Sequence, residues 1–87
     1  MAIAIFQIGG PIYGVGQTLD DAKFMAVEYL DNSTDIDAID KYSPSGHVHD
    51  VVWFFCSTEV VAIVNDLGGD IVYDITDELI IPEKDPL

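Results

Sequence analysis

The densest apolar stretch of the chain is VVWFFC, residues 51–56, an unbroken run rich in β-branched and aromatic side chains. Its length and make-up predict a strand buried on both faces, at the centre of the core. A different pattern follows at once. Val60, Ile63, Val64 and Leu67 recur at helical spacing against Thr58, Ala62, Asn65 and Asp66, which predicts a helix over 58–67 with the first set as its core face. Ser57 or Thr58 supplies the N-cap, Glu59 meets the positive end of the helix dipole, and Gly68 gives the positive-φ position that stops the helix.

Upstream, AIAIFQI (2–8) puts Ile3 and Ile5 on one side and Ala4, Phe6 and Ile8 on the other. Both sides are apolar, so a first strand there should be central. Gly9, Gly10 and Pro11 break it, and Gly14 and Gly16 make 12–15 loop-like or a short irregular strand. Thr18 then caps a helix over 19–30, with Asp20 and Asp21 in its first turn. Leu19, Ala22, Ala26, Tyr29 and Leu30 form its expected core face with Met25 at the edge, while Asp20, Asp21, Phe24, Glu28 and Asp31 fall opposite. Residues 31–46 are Asp-rich and polar, and predict a loop with one helical turn at 35–41. After the second helix, Ile71, Tyr73 and Ile75 alternate with Val72 and Asp74, the mark of a half-buried strand over 70–75. Asp77-Glu78 turns the chain into a last strand at 79–81, which Pro82 stops.

The order strand, helix, strand, helix, strand, strand specifies an α+β fold, a small two-layer sandwich with a mixed or antiparallel sheet and two helices on one face. That arrangement leaves the other face of the sheet bare. Because residues 2–8 and 51–56 are apolar on both sides, it points to a homodimer through the sheet face.

Composition narrows the functional classes. Eighty-seven residues make one domain, 1–87, and 49% apolar content is enough for a packed core. The longest apolar run is too short for a membrane span, and the start of the chain lacks the basic flank and cleavage site of a signal peptide. With a single cysteine, Cys56, no internal disulfide framework exists, and a cytoplasmic location is expected. Sixteen acidic residues stand against three lysines (Lys23, Lys41, Lys84) and no arginine, a net charge of −13. Direct nucleic-acid binding and anionic membranes are disfavoured for want of a basic surface. A solvated surface or a saline habitat accounts for the acidity in bland terms; in functional terms it calls for a basic protein partner.

Four constellations carry candidate chemistry. Cys56 sits where a strand meets a helix N-terminus, a place that lowers a thiol pKa, yet Phe54 and Phe55 beside it favour an inert buried thiol. His47 and His49 share one side of an extended chain, but no third metal ligand is identifiable and they read as surface histidines. Asp31, Ser33, Asp35 and Asp37 have the alternation of a calcium loop, with Ile36 where glycine and Tyr42 where glutamate should be, so a solvated loop is favoured. Gly14-Val15-Gly16 lacks the third glycine of a phosphate cradle. No catalytic residue, metal or cofactor is assigned.

The segment YGVGQTLDDA, 13–22, resembles the opening of the helix in HicB-type antitoxins, a glycine loop followed by Thr-x-Glu-Glu-Ala. It covers ten of 87 residues and shares the general form of a glycine loop before a capped helix. The sequence reading is therefore a small acidic, non-enzymatic binding protein, an inhibitor or antitoxin-like module that engages a basic protein surface, nucleic-acid mimicry included. Its expected contact face is Asp20, Asp21, Phe24, Glu28 and Asp31. The rivals are a small enzyme using the Cys56 thiol or a metal on His47 and His49, and a purely structural homo-oligomer.

Overall fold

The computed structural model describes residues 1–30, 35–44, 46 and 50–83. Six strands form one mixed sheet, with two α-helices and one short 3-10 turn. The strands are β1 (Ala2–Gln7), β2 (Ile12–Gly16), β3 (Asp40–Lys41), β4 (Val51–Cys56), β5 (Tyr73–Ile75) and β6 (Ile80–Pro82). Helix α1 spans Leu19–Ala26, α2 spans Thr58–Leu67, and the 3-10 turn is Ile36–Ala38. The sheet runs β2-β1-β4-β6-β5, with β3 beside β4 as well.

The α+β class and the mixed sheet are as the sequence pattern predicts. β1 runs antiparallel to both β2 and β4, β4 runs parallel to β3 and β6, and β5 is antiparallel to β6. β4 is central, flanked by β1 along its whole length on one side and by β3 and then β6 on the other. Helix α2 matches its expected bounds. The Ser57 hydroxyl accepts from the Val60 N–H at 3.3 Å, and Gly68 closes the helix at φ 92°.

The placement of the helices differs from the two-layer expectation, because α1 and α2 lie on opposite faces of the sheet. On one face Ala2, Ala4 and Phe6 of β1 and Val52, Phe54 and Cys56 of β4 pack with Val60 and Val64 of α2. On the other, Ile5 packs with Ala22 and Ala26 of α1, joined by Ile3, Val51, Trp53 and, from the 3-10 turn, Ile36. A strand apolar on both sides needs a layer on each, and β1 has one on each. The premise of a bare sheet face for a homodimer is thereby removed at β1.

Of the two readings of 12–15, the short irregular strand holds: Ile12–Gly16 is β2, and its register with β1 shifts between Ile5 and Phe6. Gly14 opposes Ile5 and Gly16 opposes Ile3, on the α1 side of the sheet. A Cβ at Gly14 would run into the Ala22 carbonyl and come within 2.7 Å of the Ala26 nitrogen, and one at Gly16 would come within 2.8 Å of the Ala22 nitrogen. The helix backbone rests directly on the strand there, which only glycine facing alanine allows.

Differences in boundary and burial have physical reasons. Helix α1 ends at Ala26 rather than 30 because the chain tightens: the Glu28 and Tyr29 N–H groups reach back three residues, to Met25 and Ala26. Tyr29, expected in the core, is 67% exposed, and Leu67, expected on the buried face of α2, is 76% exposed at the last turn. Pro82 ends β6, an inner strand, without loss. Even-numbered β6 positions face β4, as the Ser57 N–H to Ile80 carbonyl bond shows, and β4 has ended before Pro82 is reached.

The outer edge of β2 is closed by the chain itself. The Ile12 N–H donates to the Gly69 carbonyl at 2.9 Å, and the Val15 N–H points at the Met25 sulfur at 3.4 Å. At the far end of the sheet the Tyr73 hydroxyl donates to the Gly10 carbonyl at 2.7 Å, with the Gln7 carbonyl at 3.2 Å as a second acceptor. This ties β5 to the turn after β1.

Gly14→Ala should lower unfolding stability by about 2–4 kcal/mol in urea titrations, because neither backbone can retreat. Gly10→Ala, whose Cβ would meet only the flexible Gln7 side chain at 3.2 Å, should stay within about 1 kcal/mol of the parent. Equal effects at the two sites would contradict the close approach of α1 to β2.

Candidate functional site

Helix α1 presents its outer face from a fixed seat. Its backbone is pressed against β2, the Thr18 hydroxyl caps it by accepting from the Asp21 N–H at 3.2 Å, and the Lys23 ammonium meets the Asp37 carboxylate at 3.5 Å beside the 3-10 turn. On the side turned from the sheet, Phe24 is 80% exposed. Asp20, one turn before it, is exposed, as are Asp21 and Glu28. Asp31, the fifth residue expected on this face, lies outside the described residues.

The apolar part of the surface is larger than the sequence reading placed there. Val27 is exposed three residues after Phe24, whereas Tyr29, also exposed, lines a separate cleft with Ile12, Met25 and Val64. The helical projection that isolated Phe24 also puts Val27 near it, and Val27 was the overlooked part of the signal. An exposed aromatic ring costs solvation unless something covers it, although single exposed hydrophobes are ordinary on protein surfaces. Here the ring and its apolar neighbour sit among carboxylates on a rigid element.

Charge around the site is scarcely neutralised. Among the described residues Lys23 bridges Asp37, whose side chain remains mostly in solvent, and Lys41 sits on aromatic rings instead of a carboxylate, its ammonium 5.0 Å from the Phe55 ring centre and 5.8 Å from that of Trp53. Among the described residues the carboxylates therefore stay largely unneutralised.

The other candidates separate clearly. Cys56 is buried at the β4–α2 junction, and burial pushes its thiol up from 9.0 to about 11, against a small opposing pull from the N-terminal ammonium. A thiol held protonated and out of solvent lacks the electropositive, accessible setting of an activated nucleophile. His47 and His49 lie outside the described residues, as do Asp31 and Ser33 of the calcium-like series. Among the described residues no group of three or more His, Cys, Asp or Glu side chains is placed to hold a metal. Gly14 and Gly16, the phosphate-cradle candidates, face α1 and are filled by it. No helix among the described residues is long and apolar enough to cross a membrane.

Comparison of the chain with family models, with curated proteins and with solved structures finds no match.

Two predictions follow from the charges and buried protons. The thermal midpoint should rise as NaCl is added, because screening over a Debye length of about 10 Å at 0.1 M weakens repulsion among carboxylates; a flat or falling midpoint would count against an unneutralised surface. Stability should also fall at alkaline pH. Burial, aided by the Tyr13 phenol, raises Tyr73 from 10.0 to about 12, as burial raises Cys56 from 9.0 to about 11. The native state holds both protons more tightly than the unfolded chain, so their contribution is complete below pH 9.0 and is lost as pH climbs through about 11 and 12. Urea midpoints that stay level over that window would refute it.

Proposed function

We propose that this protein is a small, acidic, non-enzymatic binding module whose outer α1 face engages a basic surface on another protein, in the manner of an inhibitor or antitoxin. The observation that carries this reading is Phe24, 80% exposed on a helix whose opposite side is seated on glycine, with Asp20, Asp21 and Glu28 exposed around it. An apolar anchor within a charged rim is the usual make-up of an interface hot spot. The ring provides buried area at the centre, and the rim carboxylates draw a cationic partner in and orient it.

Rigidity adds to this. Because α1 cannot shift on β2, its face is in place before a partner arrives, and little ordering entropy is lost on association. A single acidic face presenting carboxylates at helical intervals is also the form in which a protein would compete with a phosphate backbone for a basic nucleic-acid-binding partner.

The test is capture from the source cell with immobilised parent protein and variants, followed by kinetics on whatever basic protein is retained. Phe24→Ala should fold like the parent by circular dichroism and weaken that complex by about 2 kcal/mol, roughly thirtyfold in Kd. Asp20→Asn with Glu28→Gln should chiefly slow association and flatten its salt dependence. If Phe24→Ala binds as well as the parent, or if it unfolds the domain, the α1 face is not the docking surface.

A further inference from the structure

The geometry points to a binding site for an organic monocation, of the alkylammonium or guanidinium class, in the corner formed by Trp53 and Phe55, where Lys41 acts as a resident plug. The two rings stand at 88° to each other with centres 5.8 Å apart, so they form two walls of a notch rather than a stack. The Lys41 ammonium lies over both, 5.8 Å from the Trp53 centre and 5.0 Å from the Phe55 centre. Each ring face carries the negative end of an aromatic quadrupole, and a cation within about 6 Å of two faces at once is attracted by both.

Lys41 is unusual in this position because of what surrounds it. In a chain with sixteen carboxylates, simple Coulomb attraction would pair a lysine with an acid, and Lys23 does so with Asp37. Among the described residues Lys41 rests on ring faces instead, which marks the corner as a preferred seat for a positive charge. The walls are also preorganised. Trp53 and Phe55 project from alternate positions of the central strand β4, opposite Ile5 and Ile3 of β1, and Trp53 packs within the cluster under α1. Lys41 enters from β3, in register with Trp53, and the Tyr42 N–H to Trp53 carbonyl bond at 2.8 Å holds that backbone in place.

The corner is reachable from solvent, since Trp53 and Phe55 are only partly buried and Lys41 is exposed. A primary ammonium is strongly hydrated and gains least from ring faces. A methylated ammonium or a guanidinium is weakly hydrated and gains more. The net charge of −13 raises the local concentration of any cation near the surface. Removing the plug should therefore leave a receptive, preformed site, and a better cation should displace the plug. This inference does not depend on the Phe24 surface, and either can fail alone.

Trp53 is the chain's only tryptophan and reports directly on the notch. Tetramethylammonium chloride, titrated at constant ionic strength against NaCl, should change Trp53 emission saturably in the parent and about three- to tenfold more tightly in Lys41→Ala. Lys41→Gln, which keeps a polar stem without charge, should fall on the same side as Lys41→Ala and covers the case in which the alanine variant folds poorly. Phe55→Leu in the Lys41→Ala background should abolish the saturable component while far-UV circular dichroism stays native. A Gly-Ser peptide carrying one trimethyl-lysine or one arginine separates the two sources of such a cation. Binding about tenfold tighter than tetramethylammonium assigns the site to a partner's side chain, and equal or weaker binding assigns it to a free small cation. An emission response identical to that with NaCl, in the parent and in both Lys41 variants, would overturn the site.

Discussion

The contact on which the rest of the molecule depends is the seating of α1 on β2, where Gly14 and Gly16 leave no side chain between the strand and the backbone at Ala22 and Ala26. Everything on that side of the sheet follows from it. With the helix so close, Ile5 is completely enclosed, Met25 reaches the strand edge, and the polar face of α1 is turned fully outward. A larger residue at any of these four positions would lift the helix and open the layer. The opposite layer is assembled differently, from branched and aromatic side chains, with Phe6, Tyr42, Phe54 and Tyr73 in tilted and edge-on contact and α2 laid across them. Over β2 the α1 layer is thin, glycine against alanine, whereas the opposite layer is held at a distance by large side chains.

Much of this was legible in the sequence, and the parts that were not share a cause. The 51–56 run declared a central strand, though its continuous apolarity overstated burial, since Val52, Phe54 and Cys56 are buried and Val51, Trp53 and Phe55 only half-buried; Ser57, Glu59 and Gly68 set the ends of α2 through local chemistry alone. Periodicity tells which side of each element is apolar. It does not tell to which side of a sheet a helix crosses, so the two helices were expected in one layer. The correct clue was present in β1, where Ala4 and Phe6 on one side and Ile3 and Ile5 on the other require two coverings. Glycine left β2 open between loop and irregular strand because its signal is shared by turns and by close backbone approach, and only the partner surface distinguishes them.

The candidate surfaces divide in the same way. Phe24 was legible because its exposure is a matter of helical phase within one short element. The corner at Trp53 and Phe55 was not, because it needs Lys41 brought alongside by parallel pairing of β3 with β4, a contact between distant segments across a stretch that reads as loop. Local patterns carry local geometry, and a site assembled across strands becomes visible only when register is known.

The closed edge of β2 limits how this sheet can grow. Open-ended polymerisation through strand addition needs two available edges on every molecule, one to give and one to receive. At β2 the Ile12 N–H is already committed to Gly69 and the Val15 N–H to Met25, so incoming backbone finds those donors taken. Among the described residues the β5 end of the sheet and the outer side of the two-residue β3 remain for strand pairing. An association through β5 joins two molecules in a single symmetric step and leaves their guarded β2 edges outward. For a chain this rich in β-branched residues, the carbonyl of one glycine and the sulfur of one methionine thus guard one edge of the sheet against strand addition.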